Sequence, residues 1–180
     1  MTWEKIMLWI KTLFGILFQT ALLGVFLYLP ALTLNWPDAF LFLSIHFLIT
    51  IMASAYLLIL KPASIEARMN YDSEAQPKED RLATILMLSA IVIGLSLAPI
   101  DIFHLSLSSA FEGNIKNIGL GFYIIGMLLV MASMNANEFA ETTVNIQDER
   151  GQKVIDTGIY SKVRHPMYTG FIFFITGVNV

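Results

Sequence analysis

Apolar residues in this chain come in long blocks and not in the three-and-four rhythm of a helix lying half in water. About 20 apolar residues at 1.5 Å each cross a hydrocarbon core of roughly 30 Å, so each block predicts a membrane helix. Span one is expected over about 12–34 and span two over about 39–60, joined by the tight turn Asn35-Trp36-Pro37-Asp38, which makes them antiparallel neighbours. The polar stretch from Lys61 to Arg81, with Pro62, Pro77 and the acid-and-base run from Asp72, reads as a solvated loop. Span three is expected over about 82–99, with Pro99 and Asp101 kinking or ending it. The polar segment Ser108 to Asn117 leads into span four, about 118–134. A long polar loop follows, Asn135 to His165, and a fifth apolar stretch fills 166–180. In that loop Val144 and Ile146 alternate with polar residues, and Val154 and Ile155 follow the turn-like Asp148-Glu149-Arg150-Gly151, a pattern that predicts a small hairpin. The fold class is therefore all-α: one polytopic membrane bundle over 1–180, with four full spans and an incomplete fifth.

The fifth stretch is short. A helix from Pro166 to Val180 rises about 22 Å, less than the roughly 30 Å core. A carboxylate at Val180 would then lie in hydrocarbon, which is costly. The chain accordingly reads as a fragment of a longer protein; the competing reading is a short helix that ends in a hydrated cavity.

Composition agrees with the blocks. Of 180 residues 56% are hydrophobic and 14% charged, and the mean hydropathy is +0.67. The net charge of −3 gives no sign of a nucleic-acid partner, and the absence of cysteine excludes a thiol nucleophile, a disulfide framework and a thiolate metal site. The placing of the charges says more. Lys5 and Lys11 precede span one, Lys61, Arg68, Lys78 and Arg81 follow span two, and Arg150, Lys153, Lys162 and Arg164 follow span four. Only Lys116 falls on the other side of an alternating topology. The positive-inside rule then puts the amino terminus and the 135–165 loop in the cytoplasm, with Trp3 and Trp9 at the inner interface and Trp36 at the outer one.

Candidate chemistry concentrates between Gly158 and Gly170, where a basic, aromatic segment opens the last apolar stretch. Pro166 suits a first helical turn, where its missing N–H costs nothing. His165 is thus placed at the amino-terminal cap, beside unpaired N–H groups and a partial positive charge. Arg164 adds a cation that can orient an anion, and Tyr160 and Tyr168 offer aromatic faces that can hold a cation. Each has an ordinary reading as well: Lys162 and Arg164 as anchors, the tyrosines as belt residues, His165 as a cap. Elsewhere, His46 inside span two reads as a histidine bonded to a neighbouring helix, and Gln19 as a polar contact between helices. Glu138 and Glu141 share a helical face and read first as solvated charges, with contact to a ribose or a cation as the alternative. Asp101 and His104 have i,i+3 spacing but no further ligands, which argues against a metal there.

The pattern Gly158-x-Tyr160-x-x-x-Arg164-His165-Pro166-x-Tyr168-x-Gly170 resembles the signature of the isoprenylcysteine carboxyl methyltransferase family and of related integral-membrane phospholipid methyltransferases. The upstream run Asn145 to Thr157 looks like bacterial members of that group. The likeness is specific over about 25 residues; the other spans share only hydrophobicity. It implies S-adenosylmethionine as cofactor, held on the cytoplasmic side by His165, Pro166 and Tyr168, with Gly158 and Tyr160 shaping the approach. It also implies a bacterial inner membrane and a lipidic or prenylated acceptor arriving from the bilayer. Two departures stand out. Ile159 occupies a position where proline is common, and the family's second half-site, a paired glutamate and a tyrosine-rich helix, has no counterpart before Val180.

The implied chemistry suits the place. Displacement at a sulfonium methyl mainly demands alignment of three atoms. A carboxylate acceptor is ionised near pH 7 and needs no base, whereas an amine must first lose a proton. The family default is the carboxylate of an isoprenylcysteine-like substrate, and a phospholipid amine is the alternative. Membrane sterol reductases, which use NADPH, end in a similar Tyr-x-x-x-Arg-His-Pro-x-Tyr element but have more spans. A non-catalytic relative is the remaining reading.

Overall fold

The computed structural model describes residues 2–69, 78–107, 113–137 and 154–178. They form α1 (Trp3–Ala31), α2 (Pro37–Leu60), α3 (Pro62–Met69), α4 (Lys78–Ile100), α5 (Asn114–Ala136) and α6 (Pro166–Val178). Among the described residues there is no strand. The 138–153 part of the expected hairpin, with Glu138 and Glu141, lies outside the described residues, as does most of the Asn145–Thr157 run.

Among the described residues, four helices are long and apolar enough to cross a membrane; α6 is apolar but shorter. Their outward faces carry large side chains such as Phe14, Phe18, Phe40, Met52 and Ile172. Apolar surface on this scale is tolerable only against lipid. The chain is an integral membrane protein built as a polytopic helical bundle.

Helix ends depart from the expected spans for identifiable reasons. α1 starts nine residues before the expected span, because the Trp3–Lys11 segment is helical before it enters the apolar layer. It stops at Leu32, whose φ of 54° is left-handed and whose N–H reaches the Leu29 carbonyl. Pro99 does not end α4. The helix runs through it to Ile100 and continues as a π-helical turn over Asp101–Leu105. That wider turn closes with the Ser106 N–H on the Asp101 carbonyl at 2.7 Å, while the Asp101 carboxylate accepts from the Leu107 N–H at 2.7 Å. His104 Nε2 reaches the Pro30 carbonyl at 2.8 Å. Asp101 and His104 thus satisfy backbone groups at two helix ends.

The expected solvated loop after span two is in part a helix. Ser64 and Ile65 of α3 are buried, and Ile65 joins Leu57 and Leu58 in a cluster that Leu8 and Met134 complete. The Arg68 guanidinium donates to the Ser64 carbonyl at 2.7 Å and also bonds its hydroxyl. The short helix therefore lies across the ends of α1, α2 and α5 as an interfacial cap.

Main packing partners run in the order α4, α1, α2, α5, α6, with the α5–α6 pair by far the most intimate. Helix ends sort onto two faces. One face holds the start of α1, α3, the end of α5 and the start of α6. The other holds Tyr28, Trp36 and Phe103, stacked edge to face at 6.3 and 5.1 Å, and the Lys116–Asp38 ion pair at 2.7 Å. The spans alternate in direction, as the loop lengths require.

Candidate functional site

The α5–α6 hairpin carries the site, and glycine makes it close. Gly119, Gly126 and Ser133 recur every seven residues on α5, opposite Gly170 and Gly177 on α6. A methyl group added to Gly126 would stand 2.5 Å from the Phe174 amide nitrogen and 2.7 Å from the Gly170 carbonyl oxygen. One added to Gly177 would stand 2.5 Å from the Gly119 carbonyl oxygen and closer still to the Tyr123 amide. Small residues at such spacing let membrane helices meet backbone to backbone, where dispersion and not the hydrophobic effect holds them. The sequence reading missed this seam, although the seven-residue glycine spacing signals it.

At the basic face the chain enters α6 through a tight turn. Gly158 has φ 62°, a left-handed conformation that glycine adopts freely. Its Cα faces Ala136 at the end of α5, where an added methyl would meet the Ala136 side chain at 3.5 Å. A 3-10 turn follows over Gly158–Ser161, tied by the Tyr160 N–H to the Thr157 carbonyl at 3.2 Å and by the Ser161 hydroxyl to the Gly158 carbonyl at 2.7 Å. The backbone then reaches His165, whose carbonyl accepts from the Thr169 N–H at 3.1 Å and from its hydroxyl at 3.2 Å. That bond opens α6 with Pro166 in its first position and buried. The expectation of a proline-started helix with His165 at its cap is met.

The His165 and Tyr168 rings stack, with centroids 5.6 Å apart and planes at 27°. Tyr168 is 59% exposed. Arg164 and His165 are exposed and Tyr160 is half-buried. Among the described residues Tyr160 shares no ring contact with His165 or Tyr168, so the structure joins two of the candidate rings and leaves the third apart. The arrangement is an open platform of two stacked rings, flanked by Arg164 and by the amino-terminal N–H groups of α6. Such a surface can receive a group that is cationic at one end and anionic at the other.

Residues 115–180 match the family model of phospholipid methyltransferases. The matched segment begins one residue into α5 and contains the glycine seam, the Gly158 turn and the whole platform. It supports a membrane-embedded methyltransferase, and methyltransferases of this kind generally take the methyl group from S-adenosylmethionine. Nothing among curated proteins or solved structures matches this chain.

Away from the platform, His46 is where its sequence context placed it. Its Nδ1 lies 2.5 Å from the Tyr123 hydroxyl, across the α2–α5 seam. Gln19 is exposed on α1, against the expectation of a contact between helices. It sits on the lipid-facing side, where the flanking Phe18 is 61% exposed.

Proposed function

We propose that this protein transfers a methyl group from S-adenosylmethionine to an acceptor embedded in the membrane, at the basic end of the α5–α6 hairpin. The match of residues 115–180 to the phospholipid methyltransferase model carries the reading. The residues present fit the cofactor in kind. The stacked, exposed His165–Tyr168 pair offers an aromatic face to a cation, and the opening N–H groups of α6 would be available to its carboxylate. Bound there, S-adenosylmethionine would supply a methyl group on a positively charged sulfur.

In this reading the chain itself positions and selects. His165, Pro166 and Tyr168 hold the cofactor end, Gly158 turns the chain tightly enough to leave the approach open, and Tyr160 borders it. Arg164 orients an anionic acceptor group from the water side. The aromatic platform lies beside the lipid boundary, so an acceptor whose tail stays in hydrocarbon presents its head to it. By the positive-inside bias this face is cytoplasmic. The bacterial inner membrane is part of the same reading, by resemblance of the 158–170 motif.

Two acceptors fit. The motif favours the carboxylate of an isoprenylcysteine-like compound, which Arg164 can orient and which needs no base. The likeness of residues 115–180 to phospholipid methyltransferases favours a phospholipid amine. The test is transfer of labelled methyl from S-adenosylmethionine by the purified protein in nanodiscs, with phosphatidylethanolamine and a farnesylcysteine offered separately. Base-labile label on the prenylcysteine indicates the ester, and base-stable label on the lipid indicates the amine. No transfer to either, from a folded protein that also fails to bind the cofactor, would refute the proposal.

A further inference from the structure

The α5–α6 hairpin meets the rest of the bundle chiefly along α2. The two helices run parallel, and a polar tie joins them at each of three depths. Asp38 and Lys116 form an ion pair 2.7 Å long at the face away from the platform. Midway, His46 and the Tyr123 hydroxyl share a hydrogen bond, with His46 2% exposed and Tyr123 fully buried. At the platform end, the Lys61 ammonium donates to the Asn135 carbonyl at 2.5 Å. Lys61 thereby caps the carboxy-terminal turn of α5, one residue from the Ala136 against which Gly158 turns.

Apolar contacts between membrane helices do little to fix register, because lipid tails are as apolar as leucine. A slip of one residue moves a helix about 1.5 Å along its axis and turns it by about 100°. Directed bonds oppose such a slip. Tyr123 also carries its position onward: its ring lies 4.8 Å from Phe42 on α2 and 5.2 Å from Phe174 on α6, and its backbone meets Gly177 of α6. The glycine seam makes α5 and α6 move as one body, so what fixes α5 fixes the mouth of α6.

We propose that Lys61 and the His46–Tyr123 pair, all outside the candidate site, are positioning residues for it: they set the depth and rotation of α5, and through α5 the Gly158 turn and the His165–Tyr168 platform. The assignment rests on the function proposed above only for its cofactor readout. A misplacement of about 1 Å at a methyl-transfer site is enough to cost much of the rate.

The absence of cysteine makes the test direct. Spin labels at Leu60→Cys on α2 and Ile172→Cys on α6, both lipid-facing, report the distance between the helices in the full chain in nanodiscs. S-adenosylmethionine binding is measured on the same preparations. Tyr123→Phe removes one hydroxyl and keeps the ring; Lys61→Met removes the ammonium and keeps the stem. Each is expected to broaden the distance distribution and to weaken cofactor binding by roughly 3- to 20-fold, the range of hydrogen bonds between membrane helices. Lys61→Arg should restore both, and Asp38→Asn, whose ion pair with Lys116 is half exposed, should weaken binding less than Tyr123→Phe or Lys61→Met. A sharp, unshifted distance in Tyr123→Phe and Lys61→Met overturns the proposal, as does a broadened distance with full cofactor affinity. If the parent chain binds no S-adenosylmethionine, the functional reading fails by itself and the distances alone decide the positioning claim.

Discussion

Two glycines on one helix should respond to the same substitution with opposite sign. A methyl group on Gly126 would sit 2.5 Å from the Phe174 nitrogen and 2.7 Å from the Gly170 oxygen, both backbone atoms that no rotamer change can move. Ordinary contact begins near 3.4 Å, so α5 and α6 must part by about 0.9 Å or bend. Overpacking of this sort costs about 1–3 kcal/mol. The better helix propensity of alanine returns up to about 1 kcal/mol. Gly126→Ala is therefore expected to destabilise by about 1–2 kcal/mol, a factor of roughly 5 to 30 in the folded ratio. Gly121, on the same helix, has nothing within 4 Å of an added methyl, and Gly121→Ala should be neutral or stabilising by up to about 1 kcal/mol. Reversible SDS unfolding in mixed micelles, followed by tryptophan fluorescence, measures both. Equal effects at the two positions, or a Gly126→Ala protein as stable as the parent, would refute the backbone-to-backbone seam.

Other expectations rest on separate observations. Gly158→Ala should destabilise the turn before α6 by about 1–2 kcal/mol, because its φ of 62° and not crowding is the obstacle; Gly158→Asn should recover part of the loss, and amide exchange of Tyr160 and Lys162 reads both. Leu32 is 78% exposed with φ 54°, so Leu32→Gly should gain about 0.5–1 kcal/mol in the same SDS titration. Lys116→Met should cost no more than about 1 kcal/mol, since the ion pair with Asp38 is half exposed, and the loss should shrink in 0.5 M salt.

The sequence made the spans legible because lipid demands a continuous apolar block about 20 residues long, and four such blocks stand out. It hid what lies inside them. On α1, the buried Ile16 and the exposed Phe14 and Phe18 are equally apolar, so periodicity cannot say which side meets protein. The α3 helix escaped notice because one residue, Ile65, supplies most of its grip on the core, between Pro62 and Arg68. Pro99 suggested a break, yet the helix runs through it and only then widens into the π turn over Asp101–Leu105.

At the site, residue types carried more information than hydropathy. Gly158, Pro166 and the His165 cap were readable because each answers a local backbone need that the structure shows. The stacking of His165 on Tyr168 follows from their i,i+3 spacing on the first turn. The tie from Lys61 to Asn135 was not readable, because it joins residues 74 apart in sequence. As a lone cation at a helix end, Lys61 looked like any positive-inside anchor. His46 was readable only as far as needing a partner; that the partner is Tyr123 depends on α2 and α5 running parallel.

Calorimetric binding of S-adenosylmethionine to the full chain in lipid nanodiscs asks whether the His165–Tyr168 platform holds that cofactor. Saturable binding with one cofactor per chain is expected, weakened at least tenfold by Tyr168→Ala and by His165→Ala and only mildly by Tyr168→Phe, which keeps the aromatic face. Binding that is absent from a folded protein, or unchanged when both rings are removed, would contradict it.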